Sequence, residues 1–495
     1  MLKTDASCFP EPQTIVLLGI PFHDTSLSEV LDLIATLIAC RRSAFFVTAN
    51  LDFAAKSSKD VELQRILVGA EMVLCDGVPL LWISRFTSHP LKEKVSGSDL
   101  VPLLATRAAQ EGWRIFMLGG TDETLERASR NLKINYPGIV ISGTYAPPFA
   151  PLHQFDNGEI VKRIKEASPD ILLVAFGCPK QEKWIYEHYE ELGVPFSIGV
   201  GASIDFMAGK VHRAPQWIAK CGLEWVFRMV QEPKRLAGRY IEDILFLLSQ
   251  LLREKKLLRP SQSSEMSKSH RTFGETPVEI IFWEGPLIEG SLSCLGEPSF
   301  SKQFVINLSR VTMIDSAGLG HLLHTIRCAW SKGIPGCYAA PSEEVAEMLR
   351  MTRLDRVLPL TPSIGQALEF LVRENEAIFI PPEFDVSGST LLLVMPANIT
   401  KQNTAECHAT ISGEWRKRPS LRTLQLDCGS THSMDSSGLR LLVKTHCMVT
   451  EREGGSLELL GVSTNVRNVI MVAGLENSLG ILCRSKANNT RFNDE

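Results

Sequence analysis

The chain has 495 residues, 44% of them apolar and 22% charged, with a formal net charge of −4. That length exceeds one ordinary core, and about three domains is the prior. The mild acidic balance gives no case for nucleic-acid binding, and no stretch reaches the ~20 uninterrupted apolar residues of a bilayer span. The charge is uneven: residues 210–259 hold eleven Lys/Arg against five Asp/Glu. A local basic segment suits an anionic partner such as a diphosphate or a membrane surface. Twelve cysteines lie scattered without a CxxC pair, the pattern of reduced thiols in a cytosolic protein. The N-terminus "MLKTDASCFPEPQ" lacks an apolar h-region, so secretion is not expected. His321 and His324 share a helix face, but no suitably spaced Cys or carboxylate accompanies them, and no metal site is expected.

Along the first 250 residues, short apolar runs alternate with amphipathic segments. "SAFFVTAN", "EMVLCDG", "WRIFMLGG", "IVISGTY", "DILLVAFG" and "PFSIGVG" read as buried strands; "LSEVLDLIATLIAC" and "SDLVPLLATRAAQEG" read as helices between them. The alternation predicts a Rossmann-like parallel α/β sheet. In such sheets ligands bind beyond the carboxyl ends of the strands, so the polar and small residues closing each run are the candidates. These are Thr48 and Asn50, Asp76 before Gly77, Gly119 and Gly120, Gln181 after a Cys-Pro turn, and Gly199, Gly201 and Asp205. Taken singly, Asp76 is an ordinary turn residue and Asn50 an ordinary helix cap; their joint occurrence at strand ends argues for a site. Ile204 stands where a dinucleotide fingerprint needs a third glycine, and no P-loop lysine is present, so neither nicotinamide nor P-loop chemistry is implied.

"TANLDF", "LCDGVPL", "KVSGSDL", "LGG", "GCPKQEKW", "GVGASIDFMAGKVHRAPQW" and "GLEWVFRMVQEPKRLAGRY" occur in that order. Together they resemble the WecG/TagA/CpsF family of bacterial glycosyltransferases over residues 12–255. The resemblance implies inverting transfer of an N-acetylhexosamine, typically N-acetylmannosamine, from a UDP-sugar donor to a polyprenyl-diphosphate-linked acceptor. It places the reaction at the cytoplasmic membrane face. No cofactor is expected, and with no DxD triplet in the sequence arginines rather than a metal ion are expected to hold the diphosphate. The resemblance implies Asp76 as general base, Thr48, Asn50 and Gln181 lining the catalytic pocket, and Asp205 on the nucleotide side. It also implies Arg228, Arg235 and Arg239 in a basic appendage that clamps diphosphates. The general chemistry agrees: inversion needs a carboxylate to take the acceptor proton, and arginine forks suit phosphate. Lys94 stands where the family commonly has arginine, which keeps the charge and loses the fork. "YIEDILFLLSQLL" (240–252) is too short to span a bilayer and reads either as an interfacial helix or as one buried against the core or a partner subunit.

The stretch 259–275 is polar and Ser-rich and reads as a linker. After it a pattern appears twice. Asp315, Ser316, Gly318 and Leu319 recur as Asp435, Ser436, Gly438 and Leu439, and Leu322 and Thr325 as Leu442 and Thr445, the mark of a duplicated domain. "VINLSRVTMIDSAGLGHLL" and "LQLDCGSTHSMDSSGLRLL" resemble the STAS domains of anti-sigma-factor antagonists, giving two small α/β domains at 276–373 and 385–486. The first looks short between "FWEG" and "QFVINL", so its first helix is expected to be reduced. The resemblance implies phosphorylation of Ser316 and Ser436 by a partner kinase, or docking of an anti-sigma-like protein; the plain alternative is that each serine caps a helix. The expected whole is a glycosyltransferase bound peripherally at the inner face of the membrane, with two regulatory modules separable from it. The alternative is an inactive transferase-like scaffold acting through those modules.

Overall fold

The expected apolar runs become β3 (Ala44–Ala49), β4 (Met72–Cys75), β5 (Arg114–Gly119), β6 (Val140–Tyr145), β7 (Ile171–Ala175) and β8 (Phe196–Gly199). They form one six-stranded sheet in the order β4-β3-β8-β7-β5-β6, parallel at every pairing. Both faces are covered, which is why the strands read as continuous apolar runs rather than alternations. Phe45, Val47 and Val174 enter one core cluster; Phe46, Leu173 and Ile198 enter the other. The helices between are α1 (Leu27–Ala39), α2 (Leu51–Ser57), α3 (Val61–Gly69), α4 (Val78–Ser84), α5 (Gly97–Glu111), α6 (Asp122–Asn135), α7 (Asn157–Ala167), α8 (Lys180–Leu192) and α9 (Ser203–Met207). This computed structural model describes residues 12–210, 224–253 except 232, 267–271, 278–376 except 297–299, and most of 385–470.

Two strands precede this sheet that the sequence did not announce. β1 (Thr14–Leu17) and β2 (Ile20–His23) form an antiparallel hairpin. Its two-residue turn puts Leu18 at φ 52 and Gly19 at φ 78, the doubly left-handed turn that matches strand twist.

Further along, β9 (Ser267–Arg271), β10 (Val278–Leu287), β11 (Gln303–Ile314), β12 (Gly336–Ala339) and β13 (Leu360–Thr361) make a five-stranded sheet. β9 falls inside the stretch expected to be a linker, 259–275, and corrects that reading for its residues. It pairs antiparallel to β10 at the sheet edge, where backbone hydrogen bonds suffice and polar residues leave no alternation to read. The reduced first helix is present as a short 3-10 turn, Glu289–Cys294. The second copy holds a full helix there, Thr404–Arg416.

The chain divides into two compact units rather than three, Met1–Leu371 and Val372–Glu495. The transferase-like sheet and the first repeat share the first unit, and Val16 and Val68 lie in the same apolar cluster as Leu319, Leu322 and Leu323. The second unit has its own core around Leu393, Trp415, Leu426 and Leu442. Its sheet runs β14 (Asp385–Ser387), β15 (Thr390–Val394), β17 (Thr423–Asp427), β19 (Ser456–Leu460), with a separate pair of β16 (Asn398–Ile399) and β18 (Ser433–Met434).

The repeated corner has one construction in both copies. Asp315 caps the helix Ser316–Ser331, its Oδ1 accepting from Gly318 N at 2.7 Å; Asp435 caps Ser436–Thr450 from Gly438 N at 3.0 Å. The glycine lets the helix approach a strand. A Cβ at 318 would run into the Leu287 carbonyl, and one at 438 would lie 2.5 Å from Met434 Cγ and 3.0 Å from the Ile399 carbonyl oxygen.

Candidate active site

The strand ends meet along the carboxyl edge of the six-stranded sheet. Thr48 is nearly buried on β3, and Asn50 caps α2 by accepting from Phe53 N at 3.3 Å. Asp76 follows β4, its N–H donating to Ala49 O at 2.9 Å, and the adjoining Gly77 caps α4. A Cβ on Gly77 would sit 3.9 Å from Asn50 Cβ, so the Asp76 turn and Asn50 are neighbours. Gly97, opening α5, faces Thr48 Oγ1 at 3.7 Å and Ser203 Oγ at 3.5 Å, measured from the place a Cβ would take. Gly119 and Gly120 have φ 102 and 76. The first lies against the Ala175 carbonyl, where a Cβ would come to 2.7 Å, and the second faces Ile204, the residue before Asp205.

Gln181 is buried in the first turn of α8. Its Oε1 accepts from Gly177 N at 3.1 Å, its Nε2 donates to Glu182 Oε1 at 2.7 Å, and its stem fills the space over Gly199. Burial pushes the Glu182 carboxyl up to about 7, against the hydrogen bond from Gln181. Burial likewise pushes the Cys75 thiol up to about 12, with Asp76 adding to it. Cys178 shifts upward for the same first reason, so neither thiol is a ready nucleophile.

Lys94 does not stand apart from the site. Its Nζ pairs with Asp99 Oδ2 at 3.0 Å in the first turn of α5, and the next residue, Val95, donates to Cys75 O at 2.9 Å. Asp205 lies in α9, which closes with Lys210 N donating to Asp205 O at 2.9 Å.

The basic segment forms the helices Glu224–Gln231 and Pro233–Arg253. Arg228 lies on the first and Arg235 on the second, with side chains outside the described residues. Arg239 stacks on Tyr240, 5.2 Å from the ring centre, and its Nε is buried without a hydrogen-bond partner among the described residues. The longer helix packs against α2, the helix that Asn50 caps. Its inward face carries Asp243, Gln250 and Phe246. Its outward face is apolar, with Ile241, Ile244, Leu245 and Leu248 between 45% and 61% exposed. No described helix is long and apolar enough to cross a membrane.

Sequence reasoning missed Gly97, Ser203 and Glu182. The Ser-Gly-Ser-Asp run at 96–99 and the Gln-Glu pair at 181–182 were the available signals. Ser316 is fully buried, and its Oγ has no hydrogen-bond partner among the described residues. The side chain of Ser436 lies outside the described residues.

A parallel α/β sheet whose carboxyl edge gathers an Asp, polar side chains, a lysine and paired glycines is an α/β domain of the kind that takes its ligand at the strand ends. Residues 15–261 match the profile of the glycosyl transferase WecG/TagA/CpsF family, and 239–367 and 381–488 match that of the STAS domain. The chain belongs to the WecG/TagA/CpsF family and carries STAS domains after the transferase domain. Three relatives bear the name N-acetylglucosaminyldiphosphoundecaprenol N-acetyl-beta-D-mannosaminyltransferase. That of Bacillus subtilis (strain 168) is 30% identical over 224 residues, 45% of this chain and 86% of the relative. That of Bacillus spizizenii is 27% identical over 260 residues, 52% of this chain and 99% of the relative. That of Staphylococcus aureus (strain MW2) is 28% identical over 251 residues, 50% and 95%.

Proposed function

We propose that the chain transfers an N-acetylhexosamine, with N-acetylmannosamine the first candidate, from a UDP-sugar to a polyprenyl-diphosphate-linked saccharide, inverting the anomeric centre. The observation that supports this most is the convergence of Thr48, Asn50, Asp76, Gly120, Gln181 and Asp205 on one sheet edge from five separate stretches of chain. In this reading Asp76 takes the proton of the acceptor hydroxyl as that oxygen attacks the anomeric carbon. The C–O bond to UDP breaks on the opposite face, and the pair of electrons leaves on the diphosphate. Lys94 and the backbone N–H groups at Gly119 and Gly120 receive that developing charge. Thr48, Asn50 and Gln181 shape the sugar pocket, and Asp205 faces the nucleotide.

Arg228, Arg235 and Arg239 hold the acceptor diphosphate in this reading. The outward apolar row of the helix Pro233–Arg253 rests on the inner face of the membrane, where the lipid-linked acceptor resides. That row supports an interfacial helix over one wholly buried. The second repeat remains the candidate surface for a kinase or an anti-sigma-like protein, with Ser436 at its corner. Ser316 would need its corner withdrawn before a kinase could reach it. The test is UDP release with a panel of UDP-N-acetylhexosamines and a short-chain lipid-diphosphate acceptor. Absence of acceptor-dependent release with every donor overturns the reading.

A further inference from the structure

The first repeat is seated on the transferase domain, and we propose that it acts there as a positioning subunit, holding through Asp315 and Glu289 the Ser88–Lys94 segment that frames Asp76. The proposal rests on the transferase reading above and adds to it a part of the chain that no transferase motif covers.

The seat is shaped for this one occupant. The helix Ser316–Ser331 lies across the β1–β2 hairpin, and a Cβ on Gly320 would collide with the Thr14 carbonyl. At the hairpin tip, a Cβ on Gly19 would lie 2.6 Å from the Thr352 carbonyl oxygen. That oxygen accepts from Gln64 Nε2 at 3.2 Å. Arg327 reaches His23 Nε2 at 2.9 Å and Glu71 O at 3.1 Å, and Arg353 donates to Ser58 O. Val16 and Val68 complete the contact within the repeat's own core. The second copy has Arg440 at the position of Gly320. Its helix cannot take this seat, so the two copies have divided their tasks.

The polar clasp lies beside the active site. Ser88 Oγ donates to Asp315 Oδ2 at 2.6 Å, and Glu289 N donates to the same oxygen at 3.1 Å. His89 stands between Asp24 Oδ2 at 2.9 Å and Glu289 Oε1 at 3.1 Å. Carboxylates only accept, so the ring satisfies both when it carries both protons. Gln13 also donates to Glu289, and Lys92 N to Asp24 Oδ1 at 2.7 Å. Among the described residues, the charged groups on the ring are Asp24 and Glu289; Lys92, whose N–H donates to Asp24 and whose Nζ pairs with Glu29 on α1, and Asp315, which accepts from Glu289 N, stand behind them. Burial lowers the His89 pKa; the Asp24 hydrogen bond and the Glu289 charge outweigh it, and the net shift is upward.

Residues 76–95 form a loop closed on itself. It leaves β4 at Asp76, runs through α4, ties back with Leu91 N donating to Ser84 Oγ at 3.1 Å, and returns with Val95 N on Cys75 O at 2.9 Å. Asp76 and Lys94 are its two ends. The repeat grips its middle. Loss of the grip loosens both ends together, and a misplacement of about 1 Å at a reacting group can cost about a hundredfold.

Gly320→Arg in the full-length chain tests this, since it installs the second copy's residue at the seat, against Thr14 of the hairpin, and replaces none of the proposed active-site residues. Hydrogen exchange should rise at residues 14–23 and 76–95, KM for the UDP-sugar should rise about fivefold or more, and kcat should fall about tenfold or more. Glu289→Gln is the second variant: it should keep the seat and move the alkaline limb of the kcat profile to lower pH, with Glu289→Asp restoring it in part. Faster exchange at 14–23 with KM and kcat within about twofold of the parent would overturn the positioning role. Unchanged exchange in both segments would overturn the seat. A parent chain that neither binds UDP by calorimetry nor releases it would sink the transferase reading instead, and exchange across 76–95 would still decide the grip.

Discussion

Asp76 sits one residue beyond β4, in a turn whose backbone is fixed to Ala49, and the proposed mechanism asks only that its carboxylate accept a proton. Asp76→Asn keeps size and polarity and removes that capacity. Turnover should fall about 10²–10⁴-fold, with UDP affinity in calorimetry staying within about twofold. A drop in affinity as large as the drop in turnover would make Asp76 a binding residue. Glu182 presents a different case. Its folded carboxyl is raised by burial to about 7 from 4.5, so between those values the folded chain holds a proton that the unfolded chain releases. The stability it contributes is complete below about pH 4.5 and is lost as pH rises toward 7. Glu182→Gln removes that titration. From pH 4.5 to 7.5, its unfolding free energy should rise relative to the parent's by on the order of 1–3 kcal/mol, the variant becoming the more stable of the two. Parallel stability curves for the two proteins would refute this.

The helix Pro233–Arg253 turns an amphipathic sequence inside out relative to a simple core helix: Asp243 and Gln250 face inward and Ile241, Ile244, Leu245 and Leu248 face outward. Burial, with the nearby Asp52 charge, pushes Asp243 up to about 6, the expense of placing a carboxylate on the packed side. An outward apolar row beside a basic segment fits an anionic lipid surface. Replacing Ile241, Leu245 and Leu248 by Ser should reduce sedimentation with anionic vesicles about tenfold or more and leave UDP affinity unchanged. Equal sedimentation of the triple variant and the parent would remove this helix from the membrane contact. The corner is the second element with a sharp expectation. At Gly318 any Cβ meets the Leu287 carbonyl, so Gly318→Ala should cost about 1–3 kcal/mol in thermal unfolding. A variant as stable as the parent would show that the strand can yield.

At the scale of the molecule, the transferase domain and the first repeat form one unit and the second repeat belongs to another. Cutting the chain after residue 258 would uncover Val16 and Val68, which lie among the apolar residues of the repeat, and would take Asp315 from Ser88 and Glu289 from His89. The 1–258 fragment should therefore melt lower than the full chain and associate at micromolar concentration. A fragment as stable and monomeric as the parent, with full turnover, would make the two modules separable, as the sequence alone suggested.

The parallel sheet and the strand-end residues were legible in the sequence because both are local. A buried strand writes its burial as a run of apolar residues, and the residues that end it lie next in the chain; hence Thr48, Asn50 and Asp76 could be named before any contact was known, and Gln181 from the short turn that follows β7. The D-S-x-G-L corner was legible for the same reason, since cap and glycine lie three residues apart and serve one helix start. The sequence did not determine which side of the helix Pro233–Arg253 meets the core, because its apolar and polar faces allow either orientation. Nor could it place the first repeat. Ser88 and Asp315 are 227 residues apart, and Gln64 and Thr352 are 288 apart, and no periodicity within either segment encodes the other. Only the tertiary structure shows why the first copy has Gly320 and the second Arg440. A glycine's missing side chain acquires meaning from the backbone that comes to lie against it, and that backbone belongs to a strand at the far end of the unit.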